Sequence, residues 1–286
     1  MKIPVKFLVL SFAASFLIFG TMSCSKVLQD NRDNITSAED YASAESELAG
    51  VFDVSDDLNE TNQNSLIAPQ GAIIKKIDST GNPFVYEIDF GPLGTTAPQG
   101  TLCKDGKYRA GKLRISVTRP YTQVGAVAIV TAGSTNSYYS GDGTNMFKIE
   151  AEVRIKRTAT STFEITTTNG KLTDTDGDEI TFSGNKTIEK IKGLASQGIW
   201  GDEYQITGSG SGINRKGEAY TWNINTPLIK RLELGCAKTF VKGIIELKNT
   251  DASTSLKIDF DPYNNEACDR TAKAIFGNRG VIFTIR

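Results

Sequence analysis

From Gly71 to the last residue the chain alternates apolar and polar side chains with a period of two, the feature that most limits its fold. Phe84, Tyr86, Ile88 and Phe90 alternate with Val85, Glu87 and Asp89. Leu113, Ile115 and Val117 alternate with Lys112, Arg114 and Ser116, and Val153 and Ile155 with Glu152, Arg154 and Lys156. Tyr220, Trp222 and Ile224 repeat the pattern, as do Leu256, Ile258 and Phe260, and Val281, Phe283 and Ile285. A strand puts successive side chains on opposite faces, so these runs predict half-buried antiparallel strands. Asp105-Gly106, Asp142-Gly143, Asn169-Gly170, Asp176-Gly177 and Lys216-Gly217 read as the turns between them. Many short strands without intervening helices predict a mainly β fold, an antiparallel sandwich or a curled sheet, over residues 70–286.

One segment breaks the pattern. Over Thr36–Asn59 the apolar positions Tyr41, Ala44, Leu48, Val51, Phe52 and Leu58 recur at three- and four-residue spacing. Thr36-Ser37-Ala38-Glu39 has the form of a capping box. The spacing predicts one amphipathic N-terminal helix, within 36–69, whose apolar stripe docks on the β domain or on a partner and whose acidic residues fill much of the other face.

The first residues read as an address. Lys2 and Lys6 precede an uncharged apolar run, Phe7–Phe19, that is shorter than the ~20 residues a spanning helix needs. Gly20-Thr21-Met22-Ser23 then leads into Cys24. This layout predicts a signal peptide over 1–23, and Cys24 after small residues resembles the lipobox of bacterial lipoproteins, where the cysteine is acylated. The usual leucine three residues before the cysteine is Thr21 here, and a plain signal peptide is the competing reading. The polar stretch that follows reads as a flexible tether over 24–35. Removing Lys2 and Lys6 with the signal takes the formal charge from −1 to −3. The chain shows no basic stripe interleaved with aromatics, so nucleic acid is not an expected partner.

The chain has no histidine. Ser-His-Asp and Cys-His nucleophiles are thereby excluded, as are metal sites built on imidazole. Four cysteines are present. With Cys24 acylated, Cys103, Cys236 and Cys268 allow three pairings in an oxidising compartment. Cys236–Cys268 is favoured, because a strand, a hairpin and a returning strand between them bring the ends together. Cys103 then reads as a small buried side chain.

A short match, Glu87-Ile88-Asp89-Phe90-Gly91-Pro92 against Lys257-Ile258-Asp259-Phe260-Asp261-Pro262, is open to two readings: two related β halves, or two strands of similar composition. Together with Cys103-Lys104-Asp105-Gly106-Lys107-Tyr108-Arg109-Ala110-Gly111-Lys112, Tyr204-Gln205-Ile206-Thr207-Gly208, Gly212–Gly217, Asn225-Thr226-Pro227-Leu228, Gly235-Cys236 and Cys268-Asp269, it resembles a group of uncharacterised exported lipoproteins from Gram-negative bacteria. The resemblance spans most of the mature chain. It implies an all-β envelope lipoprotein held in a lipid bilayer, the outer membrane, through acylated Cys24. It carries no activity and no functional residues.

Candidate chemistry is sparse. Asp174, Asp176 and Asp178 offer alternate oxygens to a cation, but the glycine and glutamate positions of a calcium loop are not met, and a hairpin tip fits better. Tyr138 and Tyr139, in a Gly/Ser/Asn-rich stretch, and Trp200 are candidates for stacking on a sugar. Asp202-Glu203 is the least poor carboxylate pair for glycoside hydrolysis. Lys104, Lys107, Arg109, Lys112 and Arg114 read as a solvated basic face. No cofactor is expected. The leading expectation is a membrane-anchored structural or binding module with a glycan or protein ligand; the alternative is a glycan-acting hydrolase using paired carboxylates.

Overall fold

The computed structural model describes residues 19–60, 67–69, 72–78, 80, 82–133, 136–195, 198–251 and 255–286, with helix side chains described over 35–59. A helix, α1 (Phe19–Glu60), comes first. The strands that follow are β1 (Ile73–Asp78), β2 (Phe84–Asp89), β3 (Thr101–Leu102), β4 (Tyr108–Val117) and β5 (Val127–Ala132). Next are β6 (Tyr138–Gly141), β7 (Met146–Arg157), β8 (Thr162–Thr173), β9 (Glu179–Lys192) and β10 (Glu203–Ile213). The last are β11 (Ala219–Arg231), β12 (Lys242–Asn249), β13 (Leu256–Asp259), β14 (Thr271–Phe276) and β15 (Arg279–Thr284).

All 15 strands join one antiparallel sheet, with the main path β1-β2-β4-β5-β7-β8-β9-β10-β11-β12-β13-β14-β15. Short β3 pairs with β4, and β6 bridges β4 and β7. Strand neighbours are thus near neighbours in sequence, as hairpin connections require. The alternation read from sequence becomes the burial pattern: in β7 and β11 inward residues are buried and their neighbours are not.

The sheet curls around α1. Every described helix residue over 37–58 is buried except Glu39, so no face of this segment meets solvent. Glu45 and Glu47 lie about 200° apart around a helix of 3.6 residues per turn. Yet Glu45 meets Lys186 on β9 and Glu47 meets Lys107 ahead of β4, so the sheet stands on opposite sides of α1. The late strands are tied to the β6–β7 turn by Arg270, ahead of β14, whose guanidinium donates to Asp142 at 3.1 Å.

Two features allow the curl. Register shifts interrupt the β7–β8, β8–β9, β9–β10, β10–β11 and β11–β12 pairings, and such bulges bend and twist strands. Gly184 and Gly210 face each other across β9 and β10, and the Trp222 ring lies over them. A Cβ on Gly184 would sit 2.3 Å from that ring, and one on Gly210 would sit 2.5 Å from it. Trp222 stacks on Phe182 (5.2 Å between centroids) and meets Tyr41 of α1 at 5.4 Å.

Several expectations need correction. The acidic helix face is inside the sheet, because it finds cations there. Thr36-Ser37-Ala38-Glu39 does not start the helix. The backbone is helical from Phe19, through the segment read as a tether; that stretch holds no proline or glycine, and extending a helix costs far less than nucleating one. Asn169-Gly170 is a bulge within β8, with Asn169 at φ 49°, not a turn. The first 18 residues of the segment read as a signal peptide lie outside the described residues. No helix among the described residues is long and apolar enough to cross a membrane.

Candidate functional site

The interior of the curl is a zipper of charges. Lys186, in β9, follows Phe182 and Gly184 on the inward face, and Ile188 and Lys190 continue it. Lys230 keeps the inward phase of Leu228 and Leu232. These lysines occupy positions at which the alternation calls for apolar residues; α1 supplies the partners of Lys186 and Lys230, and Asp202 pairs with Lys190. Lys186 donates to Glu45 at 2.5 Å, Lys107 to Glu47 at 2.8 Å, and Lys230 to Asp53. At the N-terminal end of the buried stretch, the Arg215 backbone N–H and Nε donate to Asp40 at 2.7 and 2.6 Å, and Asn214 Nδ2 to Ser37 Oγ at 2.9 Å. Towards the other end, the Tyr204 hydroxyl donates to Asp56 at 2.7 Å and the Ile67 N–H to Asp57 at 2.9 Å.

Burial and pairing compete at these groups. Desolvation pushes the Asp40 carboxyl above its usual range although Arg215 pulls it down, and it does the same at Asp53 against Lys230. Burial also lowers the Lys107 ammonium, with Glu47 opposing it. Burial would raise Asp105, but bidentate Arg109, at 2.6 and 2.8 Å, outweighs it and holds that carboxylate below its usual range. The arrangement couples helix to sheet but presents no nucleophile and general base to a reacting atom.

Beside the Lys107–Glu47 pair, between the start of β4, the β6–β7 turn and the segment ahead of β14, lies a cavity of about 140 Å³. Ser46, Glu47 and Lys107 line it together with Tyr108, Asp142, Lys238, Arg270 and Arg286. Its acidic groups are only partly committed, since Glu47 Oε2 has no hydrogen-bond partner. Glu47 Oε1 accepts from Lys107, while Asp142 accepts from the Thr144 and Asn145 backbone N–H groups, the Asn145 amide and Arg270. Burial tends to raise Asp142, but these hydrogen bonds bring its pKa down to about 2. A disulfide joins Cys236 to Cys268, Cα atoms 4.6 Å apart. Lys238 and Arg270 each follow a bonded cysteine by two residues, so the disulfide fixes their two segments side by side.

No protein-family model, curated protein or solved structure matches this chain.

The residues singled out from sequence are scattered. Tyr138 is buried in β6, and its hydroxyl accepts from Arg109 Nε at 3.2 Å, so it is not an exposed loop aromatic. Strand alternation turns Tyr139 the other way, half-buried. Trp200, in the β9–β10 connection, packs partly against the core. The three do not form one platform: β7 and β8 stand between β6 and β9. Asp174, Asp176 and Asp178 sit at the β8–β9 hairpin tip, where Asp174 Oδ1 accepts the N–H groups of Asp176 and Asp178 at 2.9 and 3.0 Å. Among the described residues no cluster of three Cys, Asp or Glu could hold a metal ion. Asp202 is buried against Lys190 at 2.7 Å, while Glu203 binds Arg231 at 2.9 Å. Adjacent strand residues face opposite ways, so these two carboxylates cannot flank one bond.

Of the basic run, Lys107 and Arg109 point inward and are buried, which corrects the solvated-face reading; Lys112 stays outside with Glu87 and Asp89. Cys103 is buried and free, and burial raises its thiol pKa against the pull of Arg109. Cys24 falls within α1, in the part whose side chains are not described. Sequence reasoning missed the charge zipper and the cavity. The signal for the first was present: Lys186, Lys190 and Lys230 stand in phase with Phe182, Ile188 and Leu228.

Proposed function

We propose that this protein is a lipoprotein of the bacterial cell envelope, of the exported kind its sequence resembles, acting as a non-catalytic binding module anchored to the outer membrane through acylated Cys24. The supporting observation is the path of α1. The helix that passes through the core of the sheet is continuous with the segment that carries Cys24. Cys24 precedes Ser37, where continuous burial begins, by 13 residues. At 1.5 Å per residue that is about 20 Å of helix between the anchor and the sheet. Anchor and folded body are therefore one mechanical unit, which suits a protein that must present a surface at a set distance from a bilayer. A mature lipoprotein carries more than one acyl chain, and two or more are what stable anchoring needs.

The test is metabolic labelling with a fatty-acid probe, comparing wild type with Cys24→Ser, together with protease shaving of intact cells. Label present in wild type and absent from the variant supports anchoring at this cysteine, and shaving of wild type locates the domain outside the cell. Absence of label from both proteins refutes the lipoprotein reading.

A further inference from the structure

We infer that the cavity between the start of β4, the β6–β7 turn and the segment ahead of β14 is a binding site for a small phosphate-class oxyanion, held by Lys238, Arg270 and Arg286. The inference rests on the binding-module reading above and names the ligand class. Among the side chains that line the cavity four are cationic and two are carboxylates, an excess of two positive charges among side chains. The excess can be assigned to particular residues. Lys107 Nζ is saturated by Ser46 O, Ser46 Oγ and Glu47, at 2.9, 3.1 and 2.8 Å. Asp142 is filled by its turn and by one nitrogen of Arg270. Lys238 and Arg286 have no ion-pair partner within 4 Å among the described residues; Arg286 meets only the longer-range attraction of Asp40.

Two uncompensated cations beside a guanidinium match a doubly charged oxyanion, because guanidinium groups suit phosphate geometry and ammonium groups act as point charges. The cavity, about 140 Å³, has room for a small oxyanion. The disulfide is part of the site, since it holds Lys238 and Arg270 in place before any ligand arrives; preorganisation of this kind raises affinity by lowering the ordering cost. A free phosphate ion and the terminal phosphate of a lipid share this chemistry.

The test is isothermal titration of the purified protein with inorganic phosphate, against sodium chloride of equal ionic strength, and in a second arm flotation with vesicles containing phosphatidic acid. Binding of phosphate that weakens about tenfold or more in Lys238→Gln/Arg286→Gln, and is unchanged in Lys156→Gln at the opposite end of β7 from the Asp142 turn, supports the site. Weakening in Cys236→Ser/Cys268→Ser supports the role of the disulfide. Flotation with phosphatidic acid that needs Lys238 and Arg286, and exceeds that with phosphatidylcholine, makes the lipid headgroup the source; binding of phosphate alone makes the free ion the source. No heat above the salt control and no selective flotation, or equal binding by wild type and the double variant, overturns the inference. The fatty-acid label is read independently, so an anchored protein that ignores phosphate loses this site but not its anchor.

Discussion

Lys230 and Asp53 illustrate what a buried charge does in this molecule. Both side chains are nearly fully buried, and Asp53 Oδ1 has no hydrogen-bond partner. Removing one member of such a pair strands the other, at a cost of about 3–5 kcal/mol, whereas replacing both by apolar groups is often neutral or stabilising. Lys230→Met should therefore lose about that much stability, and Lys230→Met/Asp53→Leu should regain most of it, as read by urea denaturation. A double variant no more stable than the single one would refute this account. Asp142 predicts a pH effect. Its folded pKa lies below the unfolded value, so its contribution is complete above the unfolded pKa and is lost as pH falls towards about 2. The melting temperature of wild type should drop between about pH 4 and pH 2 by more than that of Asp142→Asn. Asp40 and Asp53 act in the opposite sense. Their folded values are raised, so any stability from their protonation is lost as pH rises through those values.

Among the elements, β9 and β10 carry a tight constraint. Trp222 needs the empty space above Gly184 and Gly210, and a Cβ on Gly210 would also come within 2.1 Å of the Ser183 carbonyl oxygen. Gly210→Ala should cost about 1–3 kcal/mol through overpacking, seen as a lower thermal midpoint. Trp222→Leu in the same background should restore part of that loss. The strands themselves were legible, since a period of two survives in almost every run, and the Asp-Gly tips at Gly106, Gly143 and Gly177 are turns. Asn169-Gly170 misled because a left-handed residue serves a bulge as well as a turn. The match between Asp89 and Asp259 has a local cause: each side chain accepts the N–H two residues on, at 2.9 Å, so both strands end in the same small turn. The cavity was not legible, because Lys107, Lys238, Arg270 and Arg286 meet only after the sheet has curled.

The whole molecule is a sheet that depends on what it encloses. One continuous apolar cluster runs from Ala38 and Tyr41 on the helix through every long strand to Ile285. The buried stretch of α1 touches β5, β7, β9, β12, β14 and β15, so it cannot leave without opening the sheet. Native-state hydrogen exchange should find its amides over 37–58 as slow as those of β8, β9 and β10, exchanging only on global unfolding. Exchange of the helix ahead of the strands would show that it can detach. Sequence suggested a helix lying on a β domain because its composition is that of a half-wet helix. The strands' lysines, which made the inside hospitable to Glu45, Glu47 and Asp53, belonged to a different part of the pattern.

That composition has a consequence in time. α1 is synthesised first, yet Lys230 and the last strands emerge some 170 residues and more behind Asp53. Until then its cover is incomplete. Transiently exposed apolar surface is what drives chains to aggregate before they finish folding. A helix destined for the centre of a sheet but rich in Ser, Asp and Glu can wait in water without clinging to its neighbours or to a nearby bilayer. Its charges are hydrated while the chain is incomplete and become matched to cations as the last strands close, so the polar core is suited to the order in which the chain is made.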